Sequence, residues 1–337
     1  MITDLNIRGL RGIREGTLEA LPPLGVLIGP SGCGKSTVLE ALLLATAAEP
    51  GDAVGRCIRR RMEVPFGSRF LCSEVASATR RTAELDANIA VAGRIHTRLS
   101  WHSPLPKALS DEGWHASIAS KVEFSGSTHS CDTLFKQDNS YEARGHSRHV
   151  DAPLNVRFLD QRIGATRASL HRVLSDAHSR GAKALAEDLI RELVPDLKTI
   201  EILTPEDVPL VHLCFPDRAI PAALCGDGME SIVRLALELS SPRRGTVLIE
   251  EPEAHQHIAA MVRSARVIAG TVKAGSQVIL STHSLELLDL LIDALGEDHI
   301  GMLGVLRLGL RDGKLFCVHH RGEDVRVARS TVELDLR

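Results

Sequence analysis

Apolar positions recur in three rhythms along the chain, and each rhythm predicts a different element. Residues 2–9 (ITDLNIRG) alternate, with Ile2, Leu5 and Ile7 among the apolar positions, which is the period of a half-buried strand. Residues 24–28 (LGVLI) form a short apolar run that predicts a buried strand running into a glycine-rich loop. From Ser36 to about Ala48, Val38, Leu39, Leu42 and Leu43 fall at helical spacing and give one buried face. Strand, glycine loop and helix are therefore expected in that order.

Residues 50 to about 153 change character, with Ser, His and Gly among short alternating runs at 88–101 and 117–126. They predict antiparallel strands and loops inserted between two parts of one lobe. LNVRFLD (154–160) predicts a strand, and residues 165–194 carry helical spacing through Leu170, Val173, Leu174, Ala184, Leu185, Leu189 and Leu193 until Pro195 ends it. A helix is expected over Met229–Leu239, and TVLIE (246–250) and QVILS (277–281) predict buried strands. Short apolar strands separated by helices point to an α/β sheet partly covered on both faces. Four segments follow: 1–50 and 241–337 as two parts of a nucleotide lobe, 51–153 as a β-rich insertion, and 154–240 as a helical lobe.

Composition narrows the function classes. Lys+Arg is 40 against Asp+Glu 43, a net charge of -3, so a strongly basic nucleic-acid coat is excluded while a local basic patch is not. Aromatics are only 3%, which argues against base-stacking platforms. No apolar stretch reaches the length of a membrane span, and the N-terminus does not resemble a signal peptide. Seven cysteines without a CxxC pair predict reduced thiols and a cytoplasmic protein.

The chemistry concentrates in three segments. Gly29-Pro30-Ser31-Gly32-Cys33-Gly34-Lys35-Ser36 fits G-x-x-x-x-G-K-[ST] at every fixed position, with Thr37 following. Glycines allow successive backbone N–H groups to converge on phosphate oxygens at a helix N-terminus. Lys35 adds a charge near the β and γ phosphates, and the Ser36 hydroxyl can ligate Mg²⁺. Val247-Leu248-Ile249-Glu250-Glu251 ends a buried strand in paired carboxylates, where Glu250 would hold the Mg²⁺ shell and Glu251 would orient and deprotonate the attacking water. Ser281-Thr282-His283-Ser284 ends another buried strand, and His283 can contact a γ phosphate there.

Together GPSGCGKS, LIEEPEAHQH (248–257) and STHSLELLD (281–289) resemble the ATPase domain of the overcoming-lysogenization-defect (OLD) group, in the RecF/SMC branch of ABC-type ATPases. The opening ITDLNIRGLRGI and the closing ELDLR resemble the same group. The resemblance implies an ABC-type P-loop head that binds ATP and Mg²⁺, and a head-to-head homodimer, or a higher homo-oligomer, with ATP between a P-loop and the partner's signature segment. The signature position is held by Leu224-Cys225-Gly226-Asp227-Gly228-Met229-Glu230, which lacks the serine of the usual Leu-Ser-Gly-Gly form. Ser31 replaces a common asparagine, and Glu250 a more usual aspartate. Gln161 is either the Q-loop glutamine or a plain surface residue. The segment with His255 and His257 corresponds to a D-loop, where a structural role is expected for the two histidines rather than a metal pair. The cluster Arg56, Arg59, Arg60 and Arg61 is either a contact for DNA, RNA or an acidic partner, or a solvated basic face.

These readings lead to an ATP-hydrolysing switch in DNA repair or anti-phage defence, acting on DNA or on a separate effector such as a nuclease or toxin, with no membrane partner. Relatives often carry a TOPRIM nuclease domain after the ATPase, and no acidic nuclease constellation is recognised in residues 290–337. A non-catalytic ATP-bound platform is the alternative, followed by an ABC transporter subunit and a small-metabolite kinase.

Overall fold

The computed structural model describes residues 1–60, 82–102, 105–136, 140–145, 150, 155–160, 170–240, 245–254 and 256–332. β1 (Ile2–Leu10) and β2 (Ile13–Leu18) form a hairpin, and β3 (Leu24–Ile28) leads through the glycine loop into α1 (Lys35–Thr46). α2 (Pro50–Arg59) precedes the antiparallel ladder β4 (Thr82–Ile89), β5 (Gly93–His102), β6 (Ala116–Phe124), β7 (Ser127–Phe135) and β8 (Tyr141–Arg144), with the short α3 (Lys107–Asp111) between β5 and β6. β9 (Val156–Asp160) is followed by α4 (Leu170–Ser179), α5 (Lys183–Arg191), β10 (Thr199–Leu203), β11 (Leu210–Cys214), β12 (Ala219–Pro221) and α6 (Asp227–Leu239). The final part alternates β13 (Thr246–Glu250), α7 (Ile258–Lys273), β14 (Gln277–Ser281), α8 (Leu285–Leu295), β15 (Leu303–Arg311), β16 (Lys314–Arg321) and α9 (Gly322–Val332).

Among the described residues, thirteen strands make one sheet in the order β8-β7-β6-β5-β4-β1-β2-β16-β15-β3-β14-β13-β9. Its two halves follow the two apolar rhythms. β15, β3, β14, β13 and β9 run parallel, and every residue of β3, β13 and β14 is buried. A strand covered on both faces needs an unbroken apolar run. β4–β8 pair antiparallel and continue outward from β1, with the alternating burial of a sheet covered on one face.

Helix α1 explains how the halves fit together. Ten of its twelve residues are buried, including Glu40. It contacts β1, β4 and β5 as well as β9, β13 and β14, so the sheet curls around it. On the opposite face α7 and α8 pack together over the parallel strands, and side chains of β13 alternate between the two cores: Leu248 lies in the first, Val247 and Ile249 in the second. A third core joins α4, α5 and α6 to β10 and β11.

The curl is locked by one buried glutamine. Gln277, fully buried at the start of β14, accepts from Ile2 N–H at 2.8 Å and donates to Ile2 O at 2.8 Å and Pro22 O at 3.2 Å. Thr246 Oγ1 donates to the same Gln277 carbonyl at 3.0 Å. A buried amide with all these partners satisfied ties the first strand of the chain to two strands of the parallel half.

Several expectations are corrected. Of residues 165–194, read as one helical stretch, the described part from Leu170 on holds two helices: Gly181 (φ +72) ends the first, with Gly181 N–H bonded to His178 O and Ala182 N–H to Ala177 O. That double bond pattern is the Schellman stop, which needs a left-handed residue and so overrides the apolar periodicity. The region read as strands and loops opens with α2, whose apolar face is strong but short. The region read as helical also carries the three-stranded sheet β10-β11-β12. None of the described cysteines is disulfide-bonded. No helix among the described residues is long and apolar enough to cross a membrane.

Replacing Gln277 by Leu would leave the buried N–H and C=O of Ile2 without partners. We expect a loss of roughly 2–4 kcal/mol of unfolding free energy, read from the urea midpoint; an unchanged midpoint would mean that the curl is held elsewhere.

Candidate functional site

The parallel half of the sheet delivers four chain ends to one edge. Register pairs Leu27 with Ser281, and Glu250 with both Ser281 and Asp160, so β3, β14, β13 and β9 end side by side. In open α/β sheets this carboxyl edge is where ligands bind.

The loop after β3 has the backbone of a phosphate cradle. Gly29, Gly32 and Gly34 have φ of 140°, 80° and 97°. At Gly29 a Cβ would stand 2.4 Å from Leu308 O and 2.9 Å from Cys33 Sγ, so only glycine fits. Pro30, Ser31 and Gly32 are exposed, Cys33 is buried as filler under the turn, and Gly34, Ser36 and Thr37 are half-buried. Gly34 is the N-cap of α1, with no side-chain cap and no acidic residue in the first turn. The helix thus presents its positive end without a competing side chain, as an anion site requires.

Lys35 lies in the same cradle. Its side chain is buried, and Nζ donates to Gly29 O at 2.8 Å and Pro30 O at 3.3 Å. Burial pushes its pKa below the ordinary lysine value, while the nearby carboxylates of Glu251 and Glu253 pull it back up. The phosphate loop and the carboxylates after β13 therefore lie within electrostatic reach of one another.

Glu251 follows β13 in a left-handed conformation (φ 44°), which is strained for a non-glycine residue. Its N–H donates to Ser281 O at 2.9 Å, which fixes the turn against β14. His283 is exposed, and its Nε2 stands 3.6 Å from Glu251 Oε1. That is longer than a direct hydrogen bond, a separation at which a bridging water is the usual question.

Glu253, which the sequence reading missed, clamps the two loops together. Its Oε1 accepts from Thr282 Oγ1 at 2.6 Å and from the His283 N–H at 3.0 Å. Ser284 then caps α8 by accepting from Leu287 N–H at 3.0 Å. The signal was present in the Glu-Glu-Pro-Glu spacing, because a carboxylate beyond proline can reach back over the adjacent strand end. Glu253 Oε2 and Ser281 Oγ are buried with no hydrogen-bond partner among the described residues, as polar groups facing a ligand site would be.

Glu250 closes β13, as expected from the apolar run before it. Its carboxylate is 5% exposed and ion-paired to Arg60. Arg60 also bonds Asp160 through Nε at 2.6 Å and Glu40 through Nη1 at 2.6 Å, and its guanidinium lies 4.9 Å over the Phe158 ring. Arg11 pairs with the other side of Glu40. The reading of Arg60 within a solvated or nucleic-acid-binding basic face is thereby overturned: its side chain is 4% exposed and spent on three carboxylates. Arg56 is half-exposed and 3.8 Å from Asp52, and Arg61 lies outside the described residues.

Gly226 (φ 88°) is the exposed N-cap of α6, and a Cβ there would meet nothing within 4 Å. Asp227 is exposed and Gly228 half-buried in the first turn, where Asp227 and Glu230 stabilise the helix dipole. Gln161 and His255 lie outside the described residues. His257 caps α7, its Nδ1 accepting from Ala259 N–H at 3.4 Å. Among the described residues, no three His, Cys, Asp or Glu side chains could hold a metal by themselves. Mg²⁺ does not need such a cage: one or two protein ligands with substrate phosphates suffice, and Ser36 and Glu250 are of the right chemistry.

Comparison with known proteins places this geometry. Residues 140–289 match the family model described as "AAA domain, putative AbiEii toxin, Type IV TA system", and residues 4–96 match a second described as "AAA domain". No curated protein sequence matches significantly. Among solved structures, an Smc head bound to the C-winged helix domain of ScpA is similar at 13% identity and a TM-score of 0.54, covering 96% of this chain and 99% of that one. An Smc head with an extended coiled coil from Pyrococcus furiosus, bound to the C-terminal domain of ScpA, is similar at 12% identity and a TM-score of 0.53, covering 99% of each chain. The chain has the fold of an ABC-type P-loop ATPase head.

Proposed function

We propose that this chain binds ATP with Mg²⁺ and hydrolyses it as the head of a dimerising switch of the OLD/RecF/SMC branch. The observation that carries the reading is the convergence of three segments far apart in sequence: Lys35 in its phosphate loop, the strained Glu251, and His283 held beside it through Glu253.

The roles follow from the atoms. Lys35 exchanges the Gly29 and Pro30 carbonyls for phosphate oxygens, an exchange favoured because a buried ammonium gains more from a full negative charge than from a carbonyl. Glu251 accepts the proton of the attacking water. His283 stands beside Glu251, its Nε2 3.6 Å from Glu251 Oε1, and its ring N–H would orient the water or meet the γ phosphate. Bound Mg²⁺ would neutralise the β and γ phosphate oxygens, with Ser36 and Glu250 as the groups to hold it. The exposed Gly226 and Asp227 support a role in trans, with the start of α6 presented to the γ phosphate of a second copy.

The biological setting is drawn more broadly. The toxin–antitoxin description over 140–289 supports a defence role, and DNA repair is the second setting. The Smc heads seen with ScpA support a protein partner, here a separate effector such as a nuclease or toxin, with DNA as a further ligand. A cytoplasmic location is supported by the unpaired described cysteines.

Lys35→Ala is expected to weaken ATP binding at least tenfold, since a charge-assisted bond of about 1.5–3 kcal/mol is lost; calorimetric binding at wild-type affinity would remove the phosphate-loop assignment. Glu251→Gln should lower turnover by roughly 10²–10⁴-fold with binding retained, because an amide cannot take the proton. Light scattering on Glu251→Gln should show growth from monomer to dimer when ATP and Mg²⁺ are added. A constant mass with ATP bound would favour a preassembled, non-catalytic platform.

A further inference from the structure

Arg60 holds the carboxylate that the metal would use. Its Nη2 pairs with Glu250 and with Asp160, whose strands end in register at the carboxyl edge of the sheet. Nε adds a second bond to Asp160, and Nη1 bonds Glu40 on the helix that follows the phosphate loop. All three nitrogens of the fork are engaged inside the protein, which is the arrangement that a planar guanidinium favours over a lysine. A carboxylate oxygen paired to a guanidinium is not available to a divalent cation, so the two cations compete for Glu250.

Arg60 also stands at the end of a rigid lever. It is the C-cap of α2. α2 is docked on the antiparallel ladder: Thr133 Oγ1 of β7 donates to Gly51 O at 3.1 Å, and Tyr141 OH of β8 donates to Asp52 Oδ1 at 2.6 Å. At Gly55 a Cβ would stand 2.2 Å from the Tyr141 ring, and at Gly51 one would stand 2.6 Å from Cys131 Sγ, so helix and strands are in direct backbone-close contact. A shift of the Arg60 backbone, at the end of this helix, would be carried to β7 and β8.

Resting on the ATP and Mg²⁺ reading above, we propose that Arg60 is a resident cation on Glu250 and Asp160 that competes with Mg²⁺ for Glu250, and that Mg²⁺ with nucleotide displaces it from Glu250 and so moves α2 against β7 and β8. The chain then reports the metal-loaded state to the outer edge of the sheet, independently of the dimer contacts. Its energy source is differential affinity: Mg²⁺ with triphosphate binds the released state more tightly than the guanidinium-locked state.

Two measurements test it. The first titrates Mg²⁺ against binding of a fluorescent ATP analogue. Arg60→Met removes the competitor, and the Mg²⁺ concentration for half-maximal tight binding should fall roughly 5- to 100-fold. Arg60→Lys keeps a charge but loses the fork, and should fall by less. An equal or higher Mg²⁺ requirement in either variant would overturn the proposal and make Arg60 a support that positions the carboxylates. The second needs no change at Arg60 and covers the case in which Arg60→Met does not fold. Hydrogen exchange in Glu251→Gln is compared between ATP with chelator and ATP with Mg²⁺. Amides of residues 50–60 and 131–135 should exchange at least about fivefold differently between the two conditions. Identical exchange would show the ion pairs unbroken and end the proposal. Absence of nucleotide binding in the unmodified chain would instead remove the functional reading on which this one rests.

Discussion

One buried ion-pair cluster holds the site and the fold in common. Glu40 lies inside a helix otherwise lined with apolar residues, and a carboxylate there is tolerable only with partners brought to it. Arg11 arrives from the β1–β2 turn and Arg60 from the end of α2, and Arg60 in turn collects Asp160 and Glu250 from two parallel strands. Four segments of chain are thereby fixed around α1. Such clusters contribute little net stability compared with a well-packed apolar substitute, yet removing one member costs about 3–5 kcal/mol by stranding the others. Geometry is what the cluster supplies: the strand end that carries Glu250 and the helix that carries Lys35 cannot shift independently.

The same principle of fixed geometry explains the strain at Glu251. A non-glycine residue at φ 44° costs of order 1–3 kcal/mol and persists only where its surroundings over-determine it. Here the Glu251 N–H bond to Ser281 O and the Glu253 clamp on Thr282 and His283 supply that determination. The carboxylate is thus held 3.6 Å from His283 by the protein itself, without help from any ligand.

Much of this was legible in the sequence where the constraint is local. Positive φ at three glycines, a buried strand before and a helix after are all encoded in one short stretch, so the phosphate loop could be read from 24–46 alone. The paired acids after TVLIE were legible because an unbroken apolar run must end at the edge of a parallel sheet. Arg60 was not legible. Its partners lie 20, 100 and 190 positions away, and an arginine near Arg56 and Arg59 looks like part of a charged surface until the curl of the sheet is known. The Schellman stop at Gly181 was local and readable in principle; apolar spacing continuing across it hid the break.

The exchange of aspartate for glutamate at position 250 gains meaning from the cluster. Register places the backbones of Glu250 and Asp160 directly opposite one another on adjacent parallel strands, about 4.8 Å apart. Both carboxylates meet the same guanidinium, one on the shorter aspartate arm and one on the longer glutamate arm. Two equal arms on opposed positions would bring like charges level with each other; unequal arms let them approach the planar fork at different depths and share its nitrogens. An aspartate at 250 would keep a metal-binding carboxylate at the sheet edge but shorten its reach toward Arg60. The longer arm at position 250 and the burial of Arg60 are therefore two sides of one arrangement, in which the carboxylate that closes β13 answers to a cation built into the chain.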